Sequence, residues 1–205
     1  MTKRYILFTV LLLLVFSCKK NEEIAKLDEQ YITQIKKERG DKDYEMRNDP
    51  NSPFNIDSTA KYEPLKYFEP NGEFIFKSKL YKNEKPDTIK IFGTKGEERK
   101  ALIFGNLNLN YKGKNYKINV YKSFGKNGQE YYSIWFTDKT TGNETYHVGR
   151  YLDFELNPDP DFIYKIDFNK AYSPYCSYSS RYTCAIPTKD DYLDIEIKAG
   201  EKTFH

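Results

Sequence analysis

The chain has 205 residues, with 33 Lys and Arg against 30 Asp and Glu, and 17% of it is aromatic, including 19 Tyr. That aromatic content excludes a disordered chain, and residues 18–205 are long enough to bury a core of one ordinary domain. With Lys3 and Arg4 set aside, 31 basic residues face 30 acidic ones, a balance that argues against a dedicated nucleic-acid binder with a clustered basic face.

Lys3 and Arg4 open a positive start, Tyr5 to Phe16 is apolar except for Thr9, and Lys19-Lys20 returns the chain to water. A run of about a dozen residues is shorter than the about 20 a spanning helix needs, so residues 1–17 read as a signal peptide. Val15-Phe16-Ser17-Cys18 resembles the lipobox of bacterial lipoproteins: Leu, a variable or small residue, Ser/Ala/Gly, then Cys. The resemblance implies that Cys18 carries diacylglycerol, with acyl chains of the palmitate type, and becomes the mature N-terminus. Two or three such chains hold a protein stably on a bilayer where one does not. The expected address is the bacterial cell envelope, at the periplasmic side or the cell surface, with the membrane as partner through Cys18.

From Asn21 to about Arg39, Ile24, Leu27, Tyr31 and Ile35 recur at helical spacing, which predicts one amphipathic helix stopped by Gly40. Residues 18–50 thus hold the lipid site, helix and linker, and 51–205 form a single mainly-β domain. Asp49-Pro50-Asn51-Ser52-Pro53 is turn-rich, and strands follow: Phe74-Ile75-Phe76 into Leu80-Tyr81, Thr88 to Phe92, and Ala101 to Tyr111 with Leu107, Leu109 and Tyr111 on one face. Lys112-Gly113-Lys114-Asn115 signals a hairpin into Tyr116, Ile118 and Val120. Tyr131 to Phe136, Glu144 to Tyr151, Ile163 to Phe168 and Leu193 to Ile197 complete the expected strands. Short strands between Gly/Asn/Lys turns predict an antiparallel sandwich or barrel-like fold.

Cys176 and Cys184 lie in a loop-like stretch, Ala171 to Lys189. In an oxidising compartment such a pair reads first as a disulfide, with a redox or nucleophilic thiol as the sharper reading. Two thiols, His147 and His205 do not make a convincing structural zinc site, so no metal is expected, and no cofactor is indicated.

The second half carries Phe136-Thr137-Asp138-Lys139-Thr140-Thr141-Gly142-Asn143-Glu144-Thr145-Tyr146, Gly149-Arg150-Tyr151-Leu152, Asp167-Phe168-Asn169-Lys170-Ala171-Tyr172-Ser173-Pro174-Tyr175-Cys176, Cys184-Ala185-Ile186-Pro187 and Ala199-Gly200-Glu201-Lys202. This order resembles the bacterial family known as domain of unknown function 1684, with its F-x-D-x-T-x-G-x-x-T-Y, G-R-Y-L, D-F-N-x-A-Y-N-P-Y-C-A-Y, C-P-x-P and A-G-E-K blocks. Ser173, Ser177 and Ala185 depart from the usual Asn, Ala and Pro. The resemblance covers most of the mature chain and implies no activity.

Read chemically, Tyr146, Arg150, Tyr151, Asp167, Asn169 and Tyr172 are the candidate ligand-binding block. A guanidinium can grip a carboxylate or phosphate with two parallel bonds, and Tyr rings offer stacking walls. A small molecule, glycan or peptide is the expected ligand. Arg150 paired with Asp153 or Asp167 as a brace is the competing expectation. The first alternative function is a hydrolase using Asp138, His147 or Asp167, and a Cys176–His147–Asp167 arrangement is conceivable. The second is a structural or assembly lipoprotein without a ligand.

Overall fold

The computed structural model describes residues 27–125 and 127–204. The expected signal peptide, Cys18 and the first residues of the expected helix lie outside the described residues, as do Lys126 and His205.

Helix α1 spans Glu29–Asn48, and the Asp28 side chain caps it by accepting from the Gln30 N–H at 3.2 Å. Gly40, expected to stop the helix, sits in its middle instead. A mid-helix glycine costs only about 1 kcal/mol, and anchors on either side outweigh that. Arg39 donates to the Phe68 and Asn169 carbonyls at 2.8 and 3.1 Å, and Asp43 accepts from the Leu65 N–H and the Tyr62 hydroxyl, each at 2.7 Å. The helix ends where Asp49 turns extended (φ −68°, ψ 124°) ahead of Pro50, because a residue before proline avoids the helical region. Only Ile35 and Met46 of α1 are buried, so the helix is held largely by polar contacts. A second short helix, α2 (Pro53–Ile56), is capped by Ser52.

Eight strands follow among the described residues: β1 Ile75–Lys79, β2 Tyr81–Phe92, β3 Glu98–Tyr111, β4 Lys114–Phe124, β5 Glu130–Asp138, β6 Arg150–Phe154, β7 Ile163–Asp167 and β8 Tyr192–Leu193. Strands β2 to β6 form an antiparallel meander, β8 adds to β5 in parallel, and β1 pairs with β7 in a separate two-stranded sheet. The fold is mainly antiparallel β with one N-terminal helix, as expected, and its sheets do not close into a barrel. Tyr111 pairs with Lys114 across a two-residue turn, with φ 51° at Lys112 and 77° at Gly113. Turns with positive φ at both positions match the twist of the strands they join.

Alternation sorts the large sheet into two faces. Leu107, Leu109, Ile118, Val120, Ile134, Phe136, Leu152 and Phe154 point inward and meet Phe76, Tyr164 and Ile166 of the small sheet and Phe168 just after it, with Leu193, Ile195, Ile197 and Ala199 of the C-terminal segment. Ile91, Ala101, Tyr121 and Trp135 point outward, where Ala185 packs on them. A smaller cluster of Met46, Phe54, Leu65, Tyr178 and Phe204 fastens α1 and α2 to the tail.

Two expected strands are shorter than the sequence implied. Residues 144–149 turn rather than extend, since the Thr140 carbonyl accepts from the N–H groups of Asn143, Glu144 and Thr145, and Asp138 accepts from Thr140. Such local bonds compete directly with strand pairing. Of Leu193 to Ile197, only Leu193 lies in a strand. The residues after it still alternate into the core, but the Ile197 carbonyl bonds to Arg150.

Nothing lies within 4 Å of where a Cβ on Gly40 would be. Gly40→Ala is therefore expected to stabilise the protein by about 0.5–1 kcal/mol, read as a raised urea midpoint at unchanged slope. A lowered midpoint would contradict the continuous helix.

Candidate functional site

The sequence block divides among four places. On the outward face of the large sheet, Trp135 of β5 stacks on Tyr121 of β4, with centroids 4.1 Å apart and planes 10° apart. Tyr151 of β6 lies against Trp135 at 5.8 Å, and Tyr172 meets Tyr151 edge-on at 6.2 Å. Reciprocal backbone bonds of 2.9 and 3.0 Å fix Tyr151 and Tyr172 side by side. The Tyr151 hydroxyl donates to the Ala185 carbonyl, and the Tyr172 hydroxyl donates to Asp153 at 2.7 Å. Burial raises both phenol pKa values, and for Tyr172 the neighbouring Asp153 charge adds to it. Both are neutral donors at physiological pH.

Trp135, Tyr151 and Tyr172 line a groove of about 1400 Å³ whose walls include Met46, Arg99 and Tyr131. Tyr131 and Tyr175, also at the groove, are about half exposed. Tyr121, beneath Trp135, is fixed from below: its hydroxyl donates to the buried Asp191 carboxylate at 2.7 Å, and Asn119 donates to the same carboxylate at 3.0 Å.

Arg150 is elsewhere. It shares the inward face with Leu152 and is 1% exposed. Its Nη2 donates to Asp138 Oδ2 at 2.7 Å and to the Ile197 carbonyl at 2.9 Å. Its Nη1 donates to the Ala199 carbonyl and, at 3.4 Å, to that of Glu201. The partner is thus Asp138, not Asp153 or Asp167. Burial lowers the guanidinium pKa and Asp138 opposes this; arginine stays charged regardless. Gly149, at φ 121°, lets the chain entering β6 press on β5: a Cβ there would sit 2.6 Å from the Phe136 carbonyl oxygen.

Asp167 and Asn169 form a third, internal cluster. Asp167 caps the short turn Phe168–Lys170 by accepting from the Asn169 N–H at 3.1 Å, and its other oxygen accepts from Tyr31 of α1 at 2.7 Å. Asn169 exchanges bonds of 2.8 and 2.9 Å with the Asn71 backbone. Asp138 and Asp167 are both buried and bonded to protein donors.

Tyr146 and His147 line a separate pocket of about 550 Å³ with Lys95 and Cys176. The disulfide expected between Cys176 and Cys184 is not formed: both are free thiols, with Cys184 Sγ accepting from the Cys176 N–H at 3.2 Å. The loop brings the two together through backbone bonds to Thr94 and Tyr146, so the fold places the sulfurs without needing the covalent bond.

A protein family of unknown function, DUF1684, matches residues 60–202. The chain belongs to this family. It is also similar to the solution NMR structure of an uncharacterized protein from Haloarcula marismortui, with 26% identity, a TM-score of 0.63, and coverage of 85% of this chain and 95% of that one. No curated protein matches. The structure explains why the DUF1684 blocks are spaced as they are. G-R-Y-L delivers Arg150 to the carbonyls of A-G-E-K, and D-F-N delivers the turn on which that last block rests. Gly200, at φ 75°, makes the approach possible, because a Cβ there would lie 2.6 Å from the Ala171 carbonyl oxygen and 2.7 Å from that of Phe168.

Trp135, Tyr131 and Arg99 were not singled out by residue type as site members. The signal was present for Trp135, which falls on the face opposite Ile134 and Phe136.

Arg150→Met strands the Asp138 carboxylate in the core, and breaking a buried pair in this way costs about 3–5 kcal/mol. The loss is expected in urea denaturation, with Arg150→Met/Asp138→Asn recovering part of it. An unchanged midpoint for Arg150→Met would sink the bracing role.

Proposed function

We propose that this protein is a lipid-anchored envelope protein that binds an extended ligand, a glycan or a peptide, along the aromatic groove of the large sheet. The row Trp135, Tyr151, Tyr172 carries the reading. These rings combine apolar faces with polar tips, the chemistry of surfaces that grip ligands while remaining wet. Arg99, Asp153 and Glu130 stand along the same groove and supply charged partners. A volume of about 1400 Å³ exceeds the roughly 300–1,000 Å³ of sites that enclose drug-sized molecules, which favours an elongated ligand. Of the original block, Tyr151 and Tyr172 take the binding role, while Arg150, Asp167 and Asn169 hold the scaffold. A hydrolase built on Asp138, His147 and Asp167 is the weaker reading, because the two carboxylates are enclosed and His147 faces the other pocket.

Lipidation of Cys18 after removal of residues 1–17 would place the groove at a membrane surface. Among the described residues no helix is long and apolar enough to cross a membrane, so the proposed attachment rests on the acyl chains. Expressed in a Gram-negative host with an alkyne-tagged palmitate, the full chain is expected to be labelled and to sediment with membranes, and Cys18→Ser to do neither. An unlabelled wild type would remove the anchor.

Trp135 is the sole tryptophan, so its fluorescence reports on the groove. Titration with oligosaccharides and extended peptides is expected to shift its emission for one class. Tyr131→Ala is then expected to weaken binding about tenfold, near 1.4 kcal/mol, at unchanged melting temperature. No response across both panels at millimolar concentration would refute the reading.

A further inference from the structure

Cys176 and Cys184 sit in the wall between the two cavities. Cys176 is part-exposed and lines the 550 Å³ pocket, while Cys184 is 9% exposed and lines the large groove. The sulfurs are neighbours: the Cys176 N–H donates to Cys184 Sγ at 3.2 Å. Each cysteine is held in place independently. The Cys184 N–H donates to Thr94 Oγ1 at 3.2 Å and its carbonyl accepts from the Thr94 N–H at 3.0 Å. Tyr146 donates to the Cys176 carbonyl at 3.2 Å and reaches its sulfur at 3.8 Å. One thiol is thus part-exposed in the small pocket, and the second is nearly buried at the edge of the groove.

We propose that Cys176 and Cys184 are a redox-active dithiol that exchanges with a disulfide substrate, Cys176 attacking from the small pocket and Cys184 resolving. The Cys176 thiolate attacks one sulfur of a substrate disulfide R–S–S–R′. The S–S bond breaks, R–S⁻ leaves with the electron pair and takes a proton from water, and a Cys176–S–S–R′ mixed disulfide forms. Cys184 then gives its proton to water and attacks the Cys176 sulfur, and R′–S⁻ leaves and is protonated. The two cysteines are oxidised to one disulfide, and the substrate is reduced to two thiols. This needs an attacking thiol that is ionised near neutral pH and a partner within reach. The hydrogen bond from Cys184 lowers Cys176 to about 7 against the opposing effect of burial, with Tyr146 and Thr94 helping. The same bond and burial push Cys184 up, while Arg99 pulls it down. The asymmetry matches the two roles.

The test takes the reduced full chain through a series of glutathione buffers of increasing oxidised fraction, followed by acid quenching, alkylation and non-reducing peptide mapping. Mapping separates Cys176 and Cys184 from Cys18. The linked Cys176–Cys184 peptide is expected to rise with oxidised glutathione and fall when the buffer is reversed. Cys184→Ser is expected to stop at a glutathione adduct on Cys176, and Cys176→Ser to gain an adduct on Cys184 at least about tenfold more slowly. Iodoacetamide should label Cys176 before Cys184 in the unmutated protein, a readout independent of either variant's folding. Thiols that stay reduced throughout would overturn the proposal. A bond that forms but cannot be reversed, or equal labelling of both cysteines, would overturn it as well.

Discussion

The structure depends most on one buried guanidinium. The C-terminal segment has no long strand to carry it, yet it supplies Ile195, Ile197 and Ala199 to the main core. Arg150 resolves this by gathering the carbonyls of Ile197, Ala199 and Glu201 on its two terminal nitrogens while Asp138 balances its charge. In effect a side chain takes the place of a neighbouring strand. Burying a charge is tolerated only when it is paired and hydrogen-bonded, and here ion pair and carbonyls meet both conditions at the two terminal nitrogens, leaving Nε without a partner among the described residues. Asp138 is in turn held by Thr140 at 2.7 and 2.5 Å, so the turn after β5, the start of β6 and the tail form one unit.

That arrangement frees the other side of the sheet. Because the tail, β1 and β7 cover the inward face, the outward face is covered only in part, by Ala185 and by Asp191, and keeps Trp135 and Tyr151 beside the groove. The two faces of β5 therefore have different duties, with Phe136 in the core and Trp135 beside open space. The rings at the groove are not loosely presented. Tyr121 is tied to Asp191, Tyr151 to Ala185 and Tyr172 to Asp153, and a ligand meeting prearranged rings loses less freedom to their ordering.

Much of the β architecture was legible from alternation, because a half-buried strand writes its two faces into consecutive residues. Leu107, Leu109, Ile118 and Val120 are fully buried as the pattern required. Legibility failed where polar side chains replaced backbone pairing. The bonds of Thr140 and Asp138 carry the turn after β5 on through residues 144–149, which residue types alone marked as strand, and Arg150 carries a tail that otherwise looks like one. Gly40 misled for a related reason: the helix persists through it on contacts made by Arg39 and Asp43 with distant parts of the chain. The candidate site was half legible. Tyr151 and Tyr172 reach the groove, but nothing local in Gly149-Arg150-Tyr151 shows that the arginine turns inward while its neighbour turns outward, beyond the alternation of a strand whose start was itself misplaced.

Helix α1 has a mechanical consequence. It stands between the N-terminal segment and the sheets, and its grip is made of point contacts: Tyr31 on Asp167, Arg39 on two carbonyls, and Lys42 on Glu201 at 2.9 Å. A pull on the N-terminus would load these links in series before it reached the core, Tyr31 first. Glu201 also accepts from Tyr178, and it belongs to the same tail that Arg150 clamps. Tension entering through the helix is therefore passed to the clamp, and Lys42, whose ammonium lies 4.8 Å from the centre of the Tyr172 ring, carries part of it to the groove as well.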